Sequence, residues 1–204
     1  MAALQAAHRS AMHEGTSVRS VLHGARVTLR HWRDEDLAPF AALNDDPEVT
    51  RHLSGRLSRA DSDAFVQRIR DHFASHGFGL WALEVPVLGF AGFVGLSARL
   101  PFAPTLPGIV PHPHEIGWRL ARAAWGQGYA TEGAALALRY GFEALALPQI
   151  VSFTVPANQA SRAVMERIGL SLRSEFDHPR FTVGHPLRRH VLYAADAPSP
   201  APPT

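Results

Sequence analysis

The chain contains no cysteine and no lysine. Without cysteine there is no disulfide framework, no thiolate zinc site and no cysteinyl acyl intermediate. Without lysine there is no Walker A phosphate loop and no Schiff-base chemistry. All 20 residues counted as Lys or Arg are therefore arginine, a bias to which we assign no function. No Gly-x-Ser-x-Gly elbow is present. No apolar run approaches the length of about 18 residues that a membrane-spanning helix needs. The stretch Met1 to Gly24 lacks a continuous apolar segment, which argues against a secretory signal. Glu14 and the missing apolar periodicity argue against a transit peptide as well. A cytoplasmic location is the expectation.

What is present suits one domain. The 204 residues are 46% hydrophobic, enough for one good core and too little for two. We expect a flexible N-terminal extension over residues 1–24 and a domain over 25–196. The Pro-rich stretch 197–204 is expected to be a disordered tail. The formal charge is only +2, and the isoelectric point near 9.6 reflects arginines that never deprotonate. No run of five basic residues exists, so neither a nucleic acid nor a membrane is expected as partner. A few phosphates on a small ligand would need no more basic charge than this.

The hydrophobic pattern gives the elements. Arg26 to Arg30 alternates as a strand does. Asp34 to Leu43 opens with acidic residues, as helix starts do. Ser58 begins a loose capping box, and Phe65, Ile69 and Phe73 mark an amphipathic helix ending near Gly77. Residues 78–85 and 87–96 flank Pro86 as a hairpin. Residues 100–113 hold five prolines and read as a long loop. Strand 115–120, helix 128–145, strand 150–155 and helix 158–168 follow, then strands 171–176 and 189–194. The order is β-α-α-β-β-β-α-β-α-β-β. It predicts an α/β fold with a mixed sheet, helices on both faces, and one parallel crossover from Glu115 to Val155.

The strongest signal is Trp125-Gly-Gln-Gly-Tyr-Ala-Thr131, between a strand and a helix. Two close glycines let the backbone turn tightly. The helix then aims free N–H groups and its positive dipole end into the turn, forming a cradle for a pyrophosphate. It lacks the third glycine of the dinucleotide-binding fingerprint and the Lys of a P-loop. An ordinary glycine-containing helix start is the plainer alternative.

Four ordered segments extend the pattern: Glu115-Ile-Gly-Trp-Arg-Leu120, Trp125 to Glu132, Asn158-Gln-Ala-Ser161 and Met165 to Leu170. Together they resemble the GNAT superfamily of N-acetyltransferases, in its RimJ/RimL-like branch, over about residues 25–195. The resemblance implies a central sheet splayed open between the Glu115 and Ile150 strands. It also implies acetyl-CoA (coenzyme A) as cosubstrate with no metal, and an amine acceptor, either a peptide N-terminus or a small molecule. A homodimer is compatible with it. The family loop reads Gln/Arg-x-x-Gly-x-Gly/Ala, so Trp125 departs at the first position. Because backbone amides do the phosphate work, the departure costs little.

The resemblance also implies roles for particular residues. Gly126, Gln127, Gly128, Tyr129, Ala130 and Thr131 would cradle the pyrophosphate. Backbone groups of Trp118 and Leu120 would pair with the pantetheine arm, and Asn158 would hydrogen-bond it. Asn is also a favoured N-cap, and both roles can hold if the cap consumes only the carbonyl oxygen. Glu115 would take the proton from the attacking ammonium; the structural alternative is an ion pair with Arg119 on the same strand. Ser161 would donate to the departing thiolate where relatives place a Tyr at the position of Met165. Its alternative is a local bond to backbone. The His112-Pro-His114-Glu115 run does not match a metal motif. One of His178, His185 and His190, around the last hairpin, is a candidate for acceptor contact. Direct transfer in a ternary complex is the leading reading. A non-catalytic acyl-CoA-binding sensor is an alternative favoured by Met165, and an RNA-linked amine acceptor is a third, prompted by the arginines.

Overall fold

A computed structural model describes residues 21–98, 106 and 108–198. Eight strands lie among the described residues. β1 (Leu22–His23) and β2 (Thr28–Arg30) lead into a short 3-10 turn (Asp34–Asp36) and the helices α1 (Leu37–Asp45), α2 (Pro47–Thr50) and α3 (Arg59–His76). The hairpin β3 (Leu80–Val85) and β4 (Gly89–Ser97) precedes β5 (His114–Leu120), a 3-10 turn (Arg122–Ala124) and α4 (Tyr129–Glu143). The chain closes with β6 (Gln149–Thr154), α5 (Gln159–Arg167), β7 (Ser171–Asp177) and β8 (Arg189–Asp196).

The strands form one sheet in the order β1-β2-β3-β4-β5-β6-β8-β7. Every pairing is antiparallel except β5 with β6. This is the mixed α/β sheet expected from the element order. The expected boundary at residue 25 misses one element. Leu22 and His23 pair with Leu29 and Thr28, so the stretch assigned to the flexible extension already contains a strand. Two residues are too short for a periodic signal, and only their partner β2 makes them a strand. Residues 1–20 and 199–204, and half of the expected long loop 100–113, lie outside the described residues. The end of that loop is tied to the sheet. The buried Gln149 side chain accepts from Val110 N–H at 3.0 Å and donates to the Gly108 carbonyl at 3.1 Å.

Helix starts follow local chemistry. Ser58 Oγ accepts from Asp61 N–H at 3.1 Å and caps α3. That helix closes at Gly77, which adopts φ +77°. Its apolar stripe (Val66, Ile69, Phe73) packs with α1 (Phe40, Leu43) on one face of the sheet. On the other face, a Cβ at Gly133 of α4 would lie 3.2 Å from Val94. The fully buried Trp81, Leu83, Leu96, Ile116 and Ile150 bind the layers together. Each such side chain contributes about 1.5–3 kcal/mol on leaving water.

The strands diverge where the site is expected. β5 pairs with β4 over six positions, Ser97↔Glu115 to Gly92↔Leu120. It pairs with β6 over only two, His114↔Ile150 and Glu115↔Val151. Past Glu115 the two central strands separate into a V, while β6 stays paired along its other edge with β8 from Gln149 to Thr154.

Candidate active site

The V has a definable lining. Ala121 N–H bonds the Ala91 carbonyl at 2.9 Å. Backbone direction alternates along an antiparallel ladder, so Arg119 and Gly117 also turn toward β4. Trp118 and Leu120 must then turn their N–H and C=O groups the other way, toward the side β6 has vacated. The Leu120 carbonyl accepts the Trp125 indole N–H at 2.9 Å, which leaves its N–H and both groups of Trp118 on the open edge. The departing Trp125 thus acts locally, pinning the glycine loop to the end of β5.

The loop itself is built for close approach. Gly126 and Gly128 have φ of +72° and +80°, values that L side chains rarely adopt. Gly128 is the N-cap of α4 and has no side chain to cap it, and the first bond inside the helix runs from Glu132 N–H to the Gly128 carbonyl at 3.0 Å. The N–H groups of Tyr129, Ala130 and Thr131 therefore have no acceptor within the helix. Three converging donors at a positive dipole end suit a pyrophosphate. A Cβ at Gly126 would meet only open space, so a ligand has room to reach the backbone there.

A clamp under this loop has no signal in the sequence. Arg26 Nε donates to Glu132 Oε2 at 2.9 Å, and Arg26 N–H donates to Oε1 at 2.7 Å. Arg26 Nη1 holds the Gln127 carbonyl at 2.9 Å, and the guanidinium lies 5.2 Å from the Tyr129 ring centre. Burial would raise the Glu132 pKa, but the Arg26 amide and guanidinium hold it below the usual carboxylate value. The contact spans 106 residues in sequence, and nothing in Arg26 to Arg30 announces it.

Glu115 stands at the last paired rung, at the apex of the V. Its carboxylate has no ion pair or hydrogen bond among the described residues, and burial pushes its pKa up from 4.5 to about 7. The expected alternative, a pair with Arg119, does not form; Arg119 Nη1 bonds the Asn44 Oδ1 of α1. Because Arg119 reaches α1 and the Phe65 ring of α3, side chains of this strand parity, Glu115 included, face the α1/α3 side.

Asn158 caps α5, accepting from Ser161 N–H at 3.2 Å. Its Nδ2 also donates to Thr154 Oγ1 at 3.0 Å, so the side chain spends more than its carbonyl oxygen. One amide hydrogen remains. The half-buried Ser161 hydroxyl makes no hydrogen bond among the described residues, so the local backbone bond considered for it is absent. Met165 is 1% exposed and sits in the main core. Its side chain fills the core.

His178 and His190, with ring centres 5.0 Å apart, join Phe153, Phe176 and Phe181 in an aromatic cluster across β6, β7 and β8. Burial lowers the pKa of both histidines. His185 stacks on Phe181 at 4.6 Å. His114 is in ring contact with Phe78 at 5.7 Å.

Residues 26–171 match the acetyltransferase (GNAT) domain. The chain belongs to the GNAT acetyltransferase family. It is 36% identical over 157 residues to the FsC-acetyl coenzyme A-N(2)-transacetylase of Aspergillus fumigatus, covering 74% of this chain and 64% of that protein. Among solved structures, RimJ of Mycobacterium smegmatis in complex with CoA-disulfide superposes with a TM-score of 0.68 at 22% identity, covering 89% of each chain. RimL, a ribosomal L7/L12 alpha-N-protein acetyltransferase in complex with coenzyme A, superposes at 0.70 with 16% identity, covering 87% of this chain and 98% of its own. At those identities the two structures speak for the fold alone. Family membership makes this an acetyl-CoA-dependent acyltransferase, and its fold is one that RimJ and RimL share. Among the described residues, no helix is long and apolar enough to cross a membrane.

Proposed function

We propose that the chain moves the acetyl group of acetyl-CoA onto a primary amine by direct attack within a ternary complex. The single observation that carries this reading is the divergence of β5 from β6 immediately after Glu115. It opens backbone donors and acceptors on one side of a carboxyl group whose pKa lies near neutrality, at about 7. Residues 25–196 form the catalytic unit of this proposal.

Each part then contributes a step. The N–H groups following Gly126 and Gly128 receive the pyrophosphate, and the Gln127 carbonyl is turned away from it by Arg26. Trp118 and Leu120 supply the edge for the pantetheine amides, and Asn158 adds its remaining amide hydrogen. This delivers the thioester to the apex beside Glu115, while the acceptor enters from the α1/α3 face that Glu115 addresses. An alkylammonium with a pKa of about 8 to 10.4 must lose a proton before it attacks. Glu115 accepts that proton, directly or through one water. The nitrogen lone pair forms the C–N bond, the C–S bond breaks with its electron pair leaving on sulfur, and the second proton of the nitrogen passes to that sulfur to give the free thiol. The Ser161 hydroxyl donates to the developing thiolate at the N-terminus of α5, where the dipole also favours negative charge. No acyl-enzyme is needed, in keeping with the absence of cysteine.

The name of one relative, an N(2)-transacetylase, supports an amine acceptor. The test is release of free coenzyme A thiol from acetyl-CoA against a panel of peptides differing in N-terminal residue, alongside small primary amines. Thiol release that depends on both an amine and the carboxyl of Glu115 supports the reading. Release that ignores the amine, or none with any of them, refutes it.

A further inference from the structure

Arg119 is an unusual arginine in this molecule. Most of its fellows are paired with acids: Arg30 with Asp36 and Glu84, Arg59 with Asp63, Arg70 with Asp34, Arg122 with Asp46, Arg188 and Arg189 with Asp177. Arg119 pairs with no carboxylate among the described residues. It is half-buried on the face of β5 that also carries Glu115. Its guanidinium carbon lies 5.7 Å from the ring centres of both Phe65 and Phe93. Its Nη1 donates to Asn44 Oδ1, and Asn44, fully buried, donates in turn to Ser62 Oγ at 2.9 Å.

This arrangement is costly unless something answers it. A guanidinium carries five donors and retains its charge. Here one protein acceptor is supplied, apolar rings flank the cation, and burial lowers its pKa to about 10. A second guanidinium borders the same ring: Arg68, exposed on α3, lies 5.4 Å from the centre of Phe65, and it too has no ion pair among the described residues. The two positive groups thus share one aromatic wall on the acceptor side of the sheet. Rotation of Arg119 is limited by Asn44 and the two rings, so its remaining donors are held in place, as recognition of a carboxylate requires.

We propose that Arg119, supported by Arg68, receives a carboxylate of the acceptor, so that the substrates of this site are amines bearing an acid group. The inference rests on the acetyl-transfer reading for the position of the amine at Glu115. Four residues of strand separate Glu115 from Arg119, about 13 Å between Cα atoms at ~3.3 Å per residue. The Glu115 carboxylate leans along the strand, its Oε1 3.9 Å from where a Cβ on Gly117 would stand, so the amine and the acid stand on the order of 10 Å apart. A single amino acid is too short to bridge that distance. A peptide N-terminus with an acidic third residue spans it, since extended chain covers about 3.3–3.6 Å per residue. An unbranched amino acid of similar length would span it too.

The test uses reaction-product probes, so it does not depend on turnover. The full chain, saturated with coenzyme A, is titrated calorimetrically with Ac-Ala-Ala-Glu-Ala-amide and with the Gln counterpart. A parallel arm compares N-acetyl-8-aminooctanoate with its amide. The expected result is that the acid form binds about tenfold or more tighter in at least one arm, and the arm that shows it identifies peptide or small molecule as source. In Arg119→Gln, which keeps a donor for Asn44, that ratio falls below about twofold while coenzyme A affinity holds. Arg119→Lys keeps part of it. Equal binding of acid and amide forms in wild type, or no binding of either in both arms, overturns the proposal without any variant. So does an undiminished ratio in Arg119→Gln. If the ratio is as expected but the free-amine forms release no thiol from acetyl-CoA, the acetyl-transfer reading fails and the carboxylate site stands.

Discussion

Glu115→Gln is expected to make the protein more stable at alkaline pH while disabling it. Burial raises the Glu115 pKa from 4.5 to about 7, which corresponds to about 3 kcal/mol against the ionised form in the folded state. The sign follows from which state holds the proton. Below the unfolded value both states are protonated and the residue costs nothing. Between pH 4.5 and 7 the unfolded chain loses its proton first, so stability declines as pH rises. Above the folded value both are ionised and the loss is complete. Glutamine keeps the shape and cannot ionise. Urea unfolding should therefore show Glu115→Gln level with wild type near pH 4.5 and about 2–3 kcal/mol more stable at about pH 8, the lower figure allowing for water at the half-buried carboxyl. In the same pH series, wild-type kcat/KM should climb through an apparent pKa near 7 as Glu115 ionises and becomes able to accept the ammonium proton. Glu115→Gln should lose that limb, rise only as the amine itself deprotonates in solution, and turn over about a hundredfold more slowly. A stability difference that does not grow with pH would refute the burial argument. An unchanged rate at saturating substrate would make Glu115 a structural residue.

Three further outcomes test the other parts of the site. Gly128→Val places a branched side chain at φ +80°, with its Cβ 3.3 Å from Arg26 Nη2; a folded variant should lose measurable acetyl-CoA binding by calorimetry, and unchanged affinity would remove the loop from the cofactor site. Arg26→Met releases the Gln127 carbonyl and leaves the Glu132 carboxylate without its cation beside the cradle, so acetyl-CoA affinity should fall about tenfold, with Glu132→Gln restoring part of it in the double variant. Ser161→Ala should slow transfer while shifting stability by less than about 1 kcal/mol, since no bond to its hydroxyl is lost; the deficit should shrink as pH falls and solvent protonates the thiolate, and full activity across the pH range would leave the thiolate to water or backbone.

Local chemistry was readable wherever a residue acts on its own neighbours. Ser58 capping α3, Gly77 ending it, and the glycines of Trp125 to Thr131 are properties of a few consecutive residues, so periodicity and turn chemistry located them. Strand and helix order also constrained the sheet, because short connections force antiparallel neighbours and the 115–155 crossover forces a parallel one. Pairing over long separations was not readable. β1 exists only because β2 lies beside it, Arg26 clamps Glu132 across 106 residues, and Glu115 stands alone while Arg119 turns to Asn44 of α1. Element order, the glycine cradle and the family resemblance were thus written in consecutive residues. Which charges meet, and which are left buried without a partner, depended on the packed chain. A pKa or an ion pair is set by desolvation and by distances between segments, and those come into being only when the segments pack together.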